Sequence, residues 1–405
     1  MTQPTADTHA SFTAGQWRIL AALAGSVALR MLGLSLVLPV MTLYALHFTE
    51  SSFLAGLAFG GYGLTMAFLQ IPFGRLSDRF GRRRVLIWGM ALFSLGSLLC
   101  ATPPWFPRGV QIGVLILGRL VQGGGAIVSV AFATVADHIE PARRSTAMAV
   151  LGIPIGGAFI IGVVAGPALA GWLGLSSLFW LTGLLALATV VLVARCLPDE
   201  PPRVVVASST RAVLGSPGLL GLAGAGFVMN LIMGSFFFYF PLIATRRHHL
   251  MMTSYYELLL PMVLVSGVTM LAFSRGADRG RARPLAALGF ALFVPSTFLL
   301  FYPDRLGLDP GRPASLIVAG TLFYVAFTGL EPILPSLVSH VAVEGTYGTA
   351  LGLYNSLQFL GSFGGGAIAG ALAPLPAIYV TGLLAAAALV GYGLVLLRPP
   401  APGVD

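Results

Sequence analysis

Three ionisable side chains stand inside long apolar stretches of this sequence: Arg30, Arg119 and Glu331. A charge in such surroundings is costly unless it faces a partner or a water-filled cavity, so each one predicts a functional site. Burial favours the neutral form of a carboxyl group, so Glu331 could bind and release a proton near neutral pH. The arginines could hold an anion or control that proton. Alternatively, Glu331 forms an ion pair between the two halves of the chain, the guanidinium of Arg119 bonds to backbone carbonyls of a neighbouring helix, and Arg30 pairs with an acidic residue.

Further polar residues in apolar stretches extend these candidates. Gln122 follows Arg119 by one helical turn, and Asp137, near the end of its helix, could relay protons. The predicted proton-coupling residues are Glu331, Arg119, Arg30 and Asp137. The predicted substrate cavity contains Arg30, Tyr44, Arg119, Gln122, Asn230, Glu331, Asn355 and Gln358, with Tyr62 as a further buried polar candidate. The aromatic run at 236–240 lines an apolar pocket or faces lipid, and Glu257 is predicted to be interfacial.

The composition indicates a helical protein that crosses a membrane many times. Apolar residues make up 57% of the 405 residues, charged residues only 9%, and mean hydropathy is +0.89. Crossing the hydrocarbon core takes about 20 apolar residues in a helix, and runs of that length recur. The net charge of +9 could suggest nucleic acid, but the arginines cluster beside apolar stretches, so we expect no nucleic-acid partner. The two cysteines predict neither a disulfide nor a metal site.

Hydropathy predicts twelve membrane-spanning helices, with ends accurate to about four residues. Their predicted ranges are 17–46, 52–73, 85–102, 110–135, 146–170, 176–195, 217–244, 254–273, 284–302, 314–338, 348–373 and 376–397. With the amino terminus inside, sixteen arginines fall in inner segments and five in outer ones. Cytoplasmic segments carry the excess of basic residues, so we expect both termini in the cytoplasm. We also expect the protein to lie in the inner membrane of the cell.

The chain is predicted to consist of two six-helix bundles, residues 1–195 and 217–405. The segment 196–216 between them is rich in proline and serine and is interpreted as a cytoplasmic linker. An internal sequence repeat supports the division, because the basic loop at 78–82 is partly matched by the loop at 278–283. Repeated halves are common in secondary transporters, where the substrate site lies between them near the midplane.

Several motifs resemble the major facilitator superfamily, specifically its twelve-helix drug:proton antiporter branch. The loop from Gly74 to Arg84 is similar to the superfamily pattern Gly-x-Leu-x-Asp-Arg-x-Gly-Arg-Arg at every fixed position. The stretch Gly118 to Gly125 resembles the arginine motif of span four. The stretch Gly162 to Gly171 resembles the antiporter motif of span five, with Ala170 replacing one glycine. Residues 30–33, 38–40, 330–331 and 358–361 resemble the YajR type of bacterial efflux protein.

The resemblance implies two mechanical roles. The first is a conformational lock, a charge network that holds spans two, four, five and eleven together while the cavity opens outward. Its residues would be Gly74, Asp78, Arg79, Gly81, Arg82, Asp137 and Arg144. The second is a limit on leak, through the close, kinked packing of span five against span eight that Gly162, Gly166, Pro167 and Gly171 predict. The alternatives are that the arginines only set topology and that the glycines are ordinary small packing residues.

The sequence therefore predicts a proton-coupled secondary transporter that exports small amphipathic or hydrophobic compounds by alternating access. It contains no lysine, so the phosphate-binding residue of a nucleotide loop is absent. We expect no cofactor and no bound metal, a lipid bilayer around a monomer, and protons and a small molecule as partners. The alternative is a proton-coupled importer or a uniporter of a small solute such as a sugar or an organic anion. An enzyme fits less well, because the sequence shows no convergent nucleophile, base or metal set. A membrane sensor or scaffold also fits less well, because we expect only short termini and no soluble signalling domain.

Overall fold

The computed structural model describes residues 12–140, 143–199, 213, 215–307, 309, 312–342 and 347–397. These residues form helices joined by short turns, and no strand occurs among them. The helices are α1 (Ala14–Val37), α2 (Met41–Leu46), α3 (Ser52–Phe80), α4 (Arg82–Ala101), α5 (Arg108–Gln122), α6 (Val128–His138), α7 (Arg144–Leu173), α8 (Leu175–Cys196), α9 (Pro217–Arg246), α10 (Tyr255–Gly276), α11 (Ala282–Phe301), α12 (Pro313–Val341), α13 (Tyr347–Leu372) and α14 (Ala377–Leu396).

These fourteen helices make the twelve predicted spans. A single 3-10 turn, Leu38–Val40, joins α1 to α2, because Pro39 cannot donate a backbone hydrogen bond to an α-helix. The pair α5 and α6 together forms span four, and each remaining helix is one span. Within the described residues, nine helical segments are long and apolar enough to cross a membrane on their own. One of them, Met252–Phe301, contains both α10 and α11, while the broken span four and α13 complete the set.

Span four differs from the continuous helix predicted over 110–135. The chain leaves the helix after Gln122 and re-enters it at Val128. The intervening glycines have the weakest helix propensity of any residue except proline, and neighbouring atoms crowd them. A Cβ atom at Gly125 would lie 2.7 Å from the Cβ of Phe93. The break therefore allows α5 and α6 to pack closely against α3 and α4 at the depth of Arg119.

The helices pack as two sets along the chain. In the first set α1 lies against α7 and α8, and α4 lies against α5 and α8. In the second set α9 lies against α13 and α14, while α12 packs between α10 and α11. The main contact between the sets is α3 against α13. The predicted linker 196–216 falls mostly outside the described residues, so the boundaries of the two bundles stay a prediction.

The two basic loops hold equivalent places in the two sets. Each turns at a glycine with positive φ, 90° at Gly81 and 81° at Gly280, a conformation that costs other residues a steric penalty. Arg83, in the first turn of α4, donates to the carbonyl of Ala194 near the end of α8. Arg283, in the first turn of α11, donates to the carbonyl of Val395 near the end of α14. In both sets an arginine of the third span therefore binds the last turn of the sixth.

Candidate functional site

Arg119 is buried between α3 and α5, and protein acceptors surround its guanidinium. Its Nε donates to the carbonyl of Ala58 at 3.2 Å, and one terminal nitrogen donates to the carbonyl of Phe59 at 3.1 Å. The other terminal nitrogen donates to Oε1 of Gln122. This geometry matches the alternative in which the guanidinium bonds to backbone carbonyls. Each of the three guanidinium nitrogens of Arg119 therefore already donates to a protein oxygen, so three of its five N–H donors are in use.

Gln122, at the end of α5, is held by hydrogen bonds to α4. The two helices approach closely at Gly96 of α4. Its amide nitrogen donates to the hydroxyl of Ser97 at 2.8 Å, and that hydroxyl donates to the carbonyl of Phe93. Gly96 permits the contact, since a Cβ atom there would overlap the backbone nitrogen of Gln122. The predicted pair Arg119 and Gln122 is therefore a connected network linking α3, α4 and α5.

Arg30 is equally buried, with 3% of its surface exposed, but its partners are weak. One terminal nitrogen lies 2.9 Å from the sulfur of Met66, and the guanidinium carbon lies 5.4 Å from the centre of the Phe93 ring. The Nε atom is buried without a hydrogen-bond partner. No acidic residue in the described part of the chain forms an ion pair with Arg30.

Tyr62 connects the two arginines and reaches the second set of helices. The guanidinium carbon of Arg119 lies 5.0 Å from the centre of its ring, a cation–π distance. The Tyr62 side chain also forms a hydrogen bond with Arg30 and interacts electrostatically with it. Its ring meets that of Phe359 on α13 edge-on, with 6.0 Å between centres. The arginine region therefore borders the contact between α3 and α13.

Glu331 lies well inside α12, among residues of the second set. It is partly buried, and no ion pair involves it in the described ranges. The Tyr354 side chain, on α13, interacts electrostatically with it, and Gln358 donates to the Tyr354 hydroxyl at 3.0 Å. The alternative for Glu331, an ion pair between the two halves, is not formed among the described residues. Glu331, Tyr354 and Gln358 thus form a polar group on the α12 and α13 side of the molecule.

The remaining cavity candidates are more dispersed. The amide of Asn230 donates to the carbonyl of Gly226 in its own helix, and Gly226 packs against the Tyr354 ring. Asn355 is half-buried on α13. Tyr44 lies in α2, and its hydroxyl donates to the carbonyl of Cys100 at the end of α4, at 2.9 Å. Its surroundings are those of a packed structural tyrosine, and no hydrogen bond joins it to the arginine region.

The aromatic run of α9 forms neither a lipid face nor an open pocket wall. Phe236 stacks on Phe323 of α12 with 3.7 Å between ring centres, and both rings are buried. Phe237, Phe238 and Phe240 have 1% or less of their surface exposed. The run is therefore the core of the second set. Glu257 is exposed in the first turn of α10, as predicted for an interfacial residue.

The predicted lock residues Asp78, Arg82 and Asp137 form a compact charge cluster where α3 ends, α4 begins and α6 ends. Arg82 lies 2.6 Å from Asp78 and 2.9 Å from Asp137, and it also donates to the hydroxyl of Ser77. Gly81 ends α3 with its positive φ. The exposed Arg79 instead covers the ring of Phe80, at 5.5 Å.

The other lock residues contribute differently. A Cβ atom at Gly74 would have free space, so no close packing requires glycine there. The side chain of Arg144 lies outside the described residues. The ion pairs and hydrogen bonds of the cluster join spans two, three and four. The expected links to spans five and eleven stay a prediction.

The small residues of α7 pack mainly against α1, which differs from the expected contact with span eight. A Cβ atom at Gly162 would collide with Ser35, and one at Gly166 would collide with the backbone of Leu36. Of the motif glycines, Gly171 alone, near the C-terminal end of α7, meets the segment before α10, at Thr253. Pro167 stands within α7 without ending it. The motif thus joins two helices of the first set and touches the second set at its end.

A glycine row that the sequence analysis did not single out makes the closest contact between the two sets. Gly56 and Gly60 of α3 lie against Gly366 and Phe363 of α13, and Gly370 lies against Ser52. Small residues four apart let two membrane helices approach to backbone contact. The spacing of Gly56 and Gly60, and of Gly366 and Gly370, is the signal that could have identified this interface.

Comparisons with known proteins decide the family. A model of the Major Facilitator Superfamily matches residues 23–366. The chain belongs to the major facilitator superfamily. Within this superfamily, the inner membrane transport protein YajR of Escherichia coli (strain K12) is 31% identical over 399 residues, covering 96% of this chain and 85% of YajR. The multidrug resistance protein B homolog of Mycobacterium tuberculosis (strain ATCC 25618 / H37Rv) is 38% identical over 39% of this chain and 29% of its own length.

Solved structures agree with the superfamily fold. The D-xylose-proton symporter superposes with a TM-score of 0.74 at 15% identity, covering 94% of this chain and 98% of that one. The human organic anion transporter MFSD10 (TETRAN) superposes with a TM-score of 0.66 at 20% identity, covering 94% and 99%. The predicted all-α membrane fold of twelve helices in two six-helix bundles is confirmed, and so is the resemblance to YajR. As a superfamily member the protein is a multi-pass membrane transporter and not an enzyme.

Arg82→Ala should lower the thermal stability of this superfamily member, because it leaves Asp78 and Asp137 without their shared cation. Hydrogen bonds to charged groups contribute about 1.5–3 kcal/mol each, and partial exposure places these at the lower end. The measurement is the melting temperature of the purified protein. Arg79→Ala is the matched control, since Arg79 is exposed and contacts only a ring face in the described structure. Equal losses in both variants would show that the cluster has no special role.

Proposed function

We propose that this transporter is a proton-coupled antiporter that exports small amphipathic or hydrophobic compounds. In this proposal it works as a monomer in the inner membrane, with both termini in the cytoplasm. Two bundles, 1–195 and 217–405, rock about the region between α3 and α13, and the linker 196–216 joins them. The names of the multidrug resistance relatives support the export of varied compounds, and the identity to an inner membrane protein supports the location.

The observation that carries the proposal is the position of Glu331. It stands well inside α12, whereas every other acidic residue of the described helices lies in a first or last turn. It has no basic partner there, so its carboxyl group is free to change protonation state. A neutral carboxyl group is far less costly in apolar surroundings than a charged one. Proton binding can therefore determine when the bundles rearrange around α12.

The proposed cycle follows from that cost. Protonation on the outer side neutralises Glu331 and permits the bundles to close on that side. Release of the proton to the cytoplasm restores the charge beside Tyr354 and Gln358, and the charged form favours a state in which water or substrate reaches it. Substrate leaves in the opposite direction. The charge cluster at Arg82 is proposed to hold the inner ends of the helices while the cavity faces outward.

The deciding experiment is transport into liposomes that contain the purified protein, with the pH gradient imposed in each direction. An antiporter moves its substrate toward the acidic compartment, whichever way the protein is inserted, because protons leave that compartment in exchange. A symporter moves its substrate toward the alkaline compartment. Suitable probes are ethidium and 8-anilinonaphthalene-1-sulfonate. Their charge does not change over the pH range of the imposed gradient, so the gradient alone does not concentrate them in either compartment.

Accumulation of either probe in the acidic compartment, abolished by a protonophore, is the expected result. Accumulation in the alkaline compartment would instead favour the second candidate, a proton-coupled importer. A probe that only equilibrates, with no response to pH, would favour a uniporter. One observation favours an importer or a uniporter of an organic anion. Arg30 is a buried cation without an acidic partner in the described structure.

A further inference from the structure

The two buried arginines differ in how well the protein satisfies them. Arg119 donates to two backbone carbonyls and to Gln122. Arg30 contacts a thioether sulfur and a ring face and forms a hydrogen bond with the Tyr62 side chain, while its Nε has no partner. A thioether is a weak acceptor, and a buried cation without an anion is strongly destabilising. Neither arginine has an acidic partner in the described structure, but all three nitrogens of Arg119 donate to protein oxygens, whereas Arg30 keeps a buried Nε donor that an anion could use.

A second unpartnered polar side chain lies on the same face of α3. Gln70 has 1% of its surface exposed, and neither its amide nitrogen nor its amide oxygen has a hydrogen-bond partner. Residues four apart in a helix share one face, so Tyr62, Met66 and Gln70 form a row along α3. Met66 is the residue that Arg30 contacts. The guanidinium of Arg30 therefore lies beside this row, and the row contains the buried amide of Gln70. Both groups have N–H donors without a partner.

This row ends where the two bundles meet. Tyr62, at its outer end, is half-buried, and its ring contacts Phe359 of α13. Separation of α3 from α13 at that contact would open the row to a ligand. The rings of Phe93 and Phe359 at its borders offer an apolar surface beside the donors. An amphipathic molecule with one anionic group matches this combination.

We propose that Arg30, with Tyr62 and Gln70, is a subsite for the carboxylate or sulfonate group of an amphipathic organic anion. The inference rests on the proposed function, whose substrate class it narrows from amphipathic compounds in general to anionic ones. The guanidinium offers two parallel donors to a planar carboxylate, the Gln70 amide adds a further donor, and the apolar part of the molecule lies toward the aromatic rings.

The test is a binding measurement that needs no proton gradient. Calorimetric titration of the purified protein at pH 7.5 compares 4-phenylbutanoate, which is ionised there, with the neutral 4-phenylbutanamide of nearly the same shape. We expect the carboxylate to bind about tenfold more tightly than the amide, the size expected for a charge-assisted hydrogen bond that replaces an unmade one. Arg30→Gln should remove the preference, Arg30→Lys should keep part of it, and Gln70→Leu should weaken carboxylate binding by roughly threefold.

Arg108→Gln is the matched control, because Arg108 is exposed at the start of α5, and it should leave the preference unchanged. The melting temperature of each variant shows whether it is folded; if Arg30→Gln is not, Arg30→Lys and Gln70→Leu decide. Equal affinities for the two compounds, no binding of either, or a preference that survives Arg30→Gln would overturn the proposal. Absence of pH-driven accumulation together with a carboxylate preference would overturn the antiporter and leave the subsite standing.

Discussion

Glu331→Gln should make transport insensitive to an imposed pH gradient while leaving the fold intact. The amide has nearly the shape of the carboxyl group but does not titrate, so the cycle loses its proton-dependent step. We expect gradient-driven accumulation of the probe in liposomes to fall by roughly tenfold or more, the scale on which an essential proton-transfer group acts. Exchange of labelled for unlabelled probe without a gradient should continue, because that exchange requires no net proton movement.

The matched control for this variant is Glu257→Gln. Glu257 is exposed in the first turn of α10, so its loss should leave both gradient-driven accumulation and exchange near the wild-type level. If accumulation in Glu331→Gln still follows the pH gradient, Glu331 is not the proton carrier. If exchange disappears together with accumulation, the residue acts in substrate binding or in the movement of the bundles and not specifically in proton coupling.

The helices were predictable from sequence because the bilayer imposes a simple rule. A run of about 20 apolar residues has few other stable structures in a membrane, so spans such as Pro313–Val341 lie close to their predicted ranges. The break in span four was missed because the glycines from Gly123 to Gly125 are apolar and tolerated in membrane helices. Only the neighbouring atoms, among them those of Phe93, show why the helix stops there.

The sequence was enough to predict which residues belong to the candidate site, but not which hydrogen-bond partners each of them has. The cost of a buried charge identifies Arg30, Arg119 and Glu331 from sequence alone. It does not distinguish Arg119, which bonds to backbone carbonyls of α3, from Arg30, which has weak partners. That difference depends on the acceptors that neighbouring helices bring near each guanidinium. Gln70 was missed for the same reason, since an amide in an apolar stretch attracts attention only when both of its polar atoms have no partner.

The interface between the bundles was missed because hydropathy does not register close backbone packing. Glycines are neutral in such a scale, yet a row of them decides how near two helices can lie. On α13 two such rows occur, with Gly366 and Gly370 toward α3, and Gly361 and Gly365 toward α9. The helix therefore lies in backbone contact with both bundles, and its position depends on the absence of side chains along both faces.

Gly56→Ala should impair both stability and transport, because a single methyl group would overlap the carbonyl oxygen of Gly366. Both contacting atoms belong to helix backbones, so neither can turn aside as a flexible side chain would. Overpacking of this kind costs about 1–3 kcal/mol, which exceeds the gain of up to about 1 kcal/mol from replacing glycine by alanine within a helix. The expected result is a lower melting temperature and, if α3 and α13 form the pivot of the cycle, a roughly tenfold slower transport rate.

Gly61→Ala is the matched control on the same helix. A Cβ atom at Gly61 would lie 3.6 Å from the Cβ of Arg119, an ordinary van der Waals distance. It gains the same helix propensity without the collision, so it should keep the wild-type melting temperature or raise it, with transport retained. If Gly56→Ala transports as well as Gly61→Ala, the contact of α3 with α13 is not a moving pivot. If Gly56→Ala is less stable but transports at the wild-type rate, the glycine row serves packing alone, because a pivot requires the two helices to separate and close in each cycle.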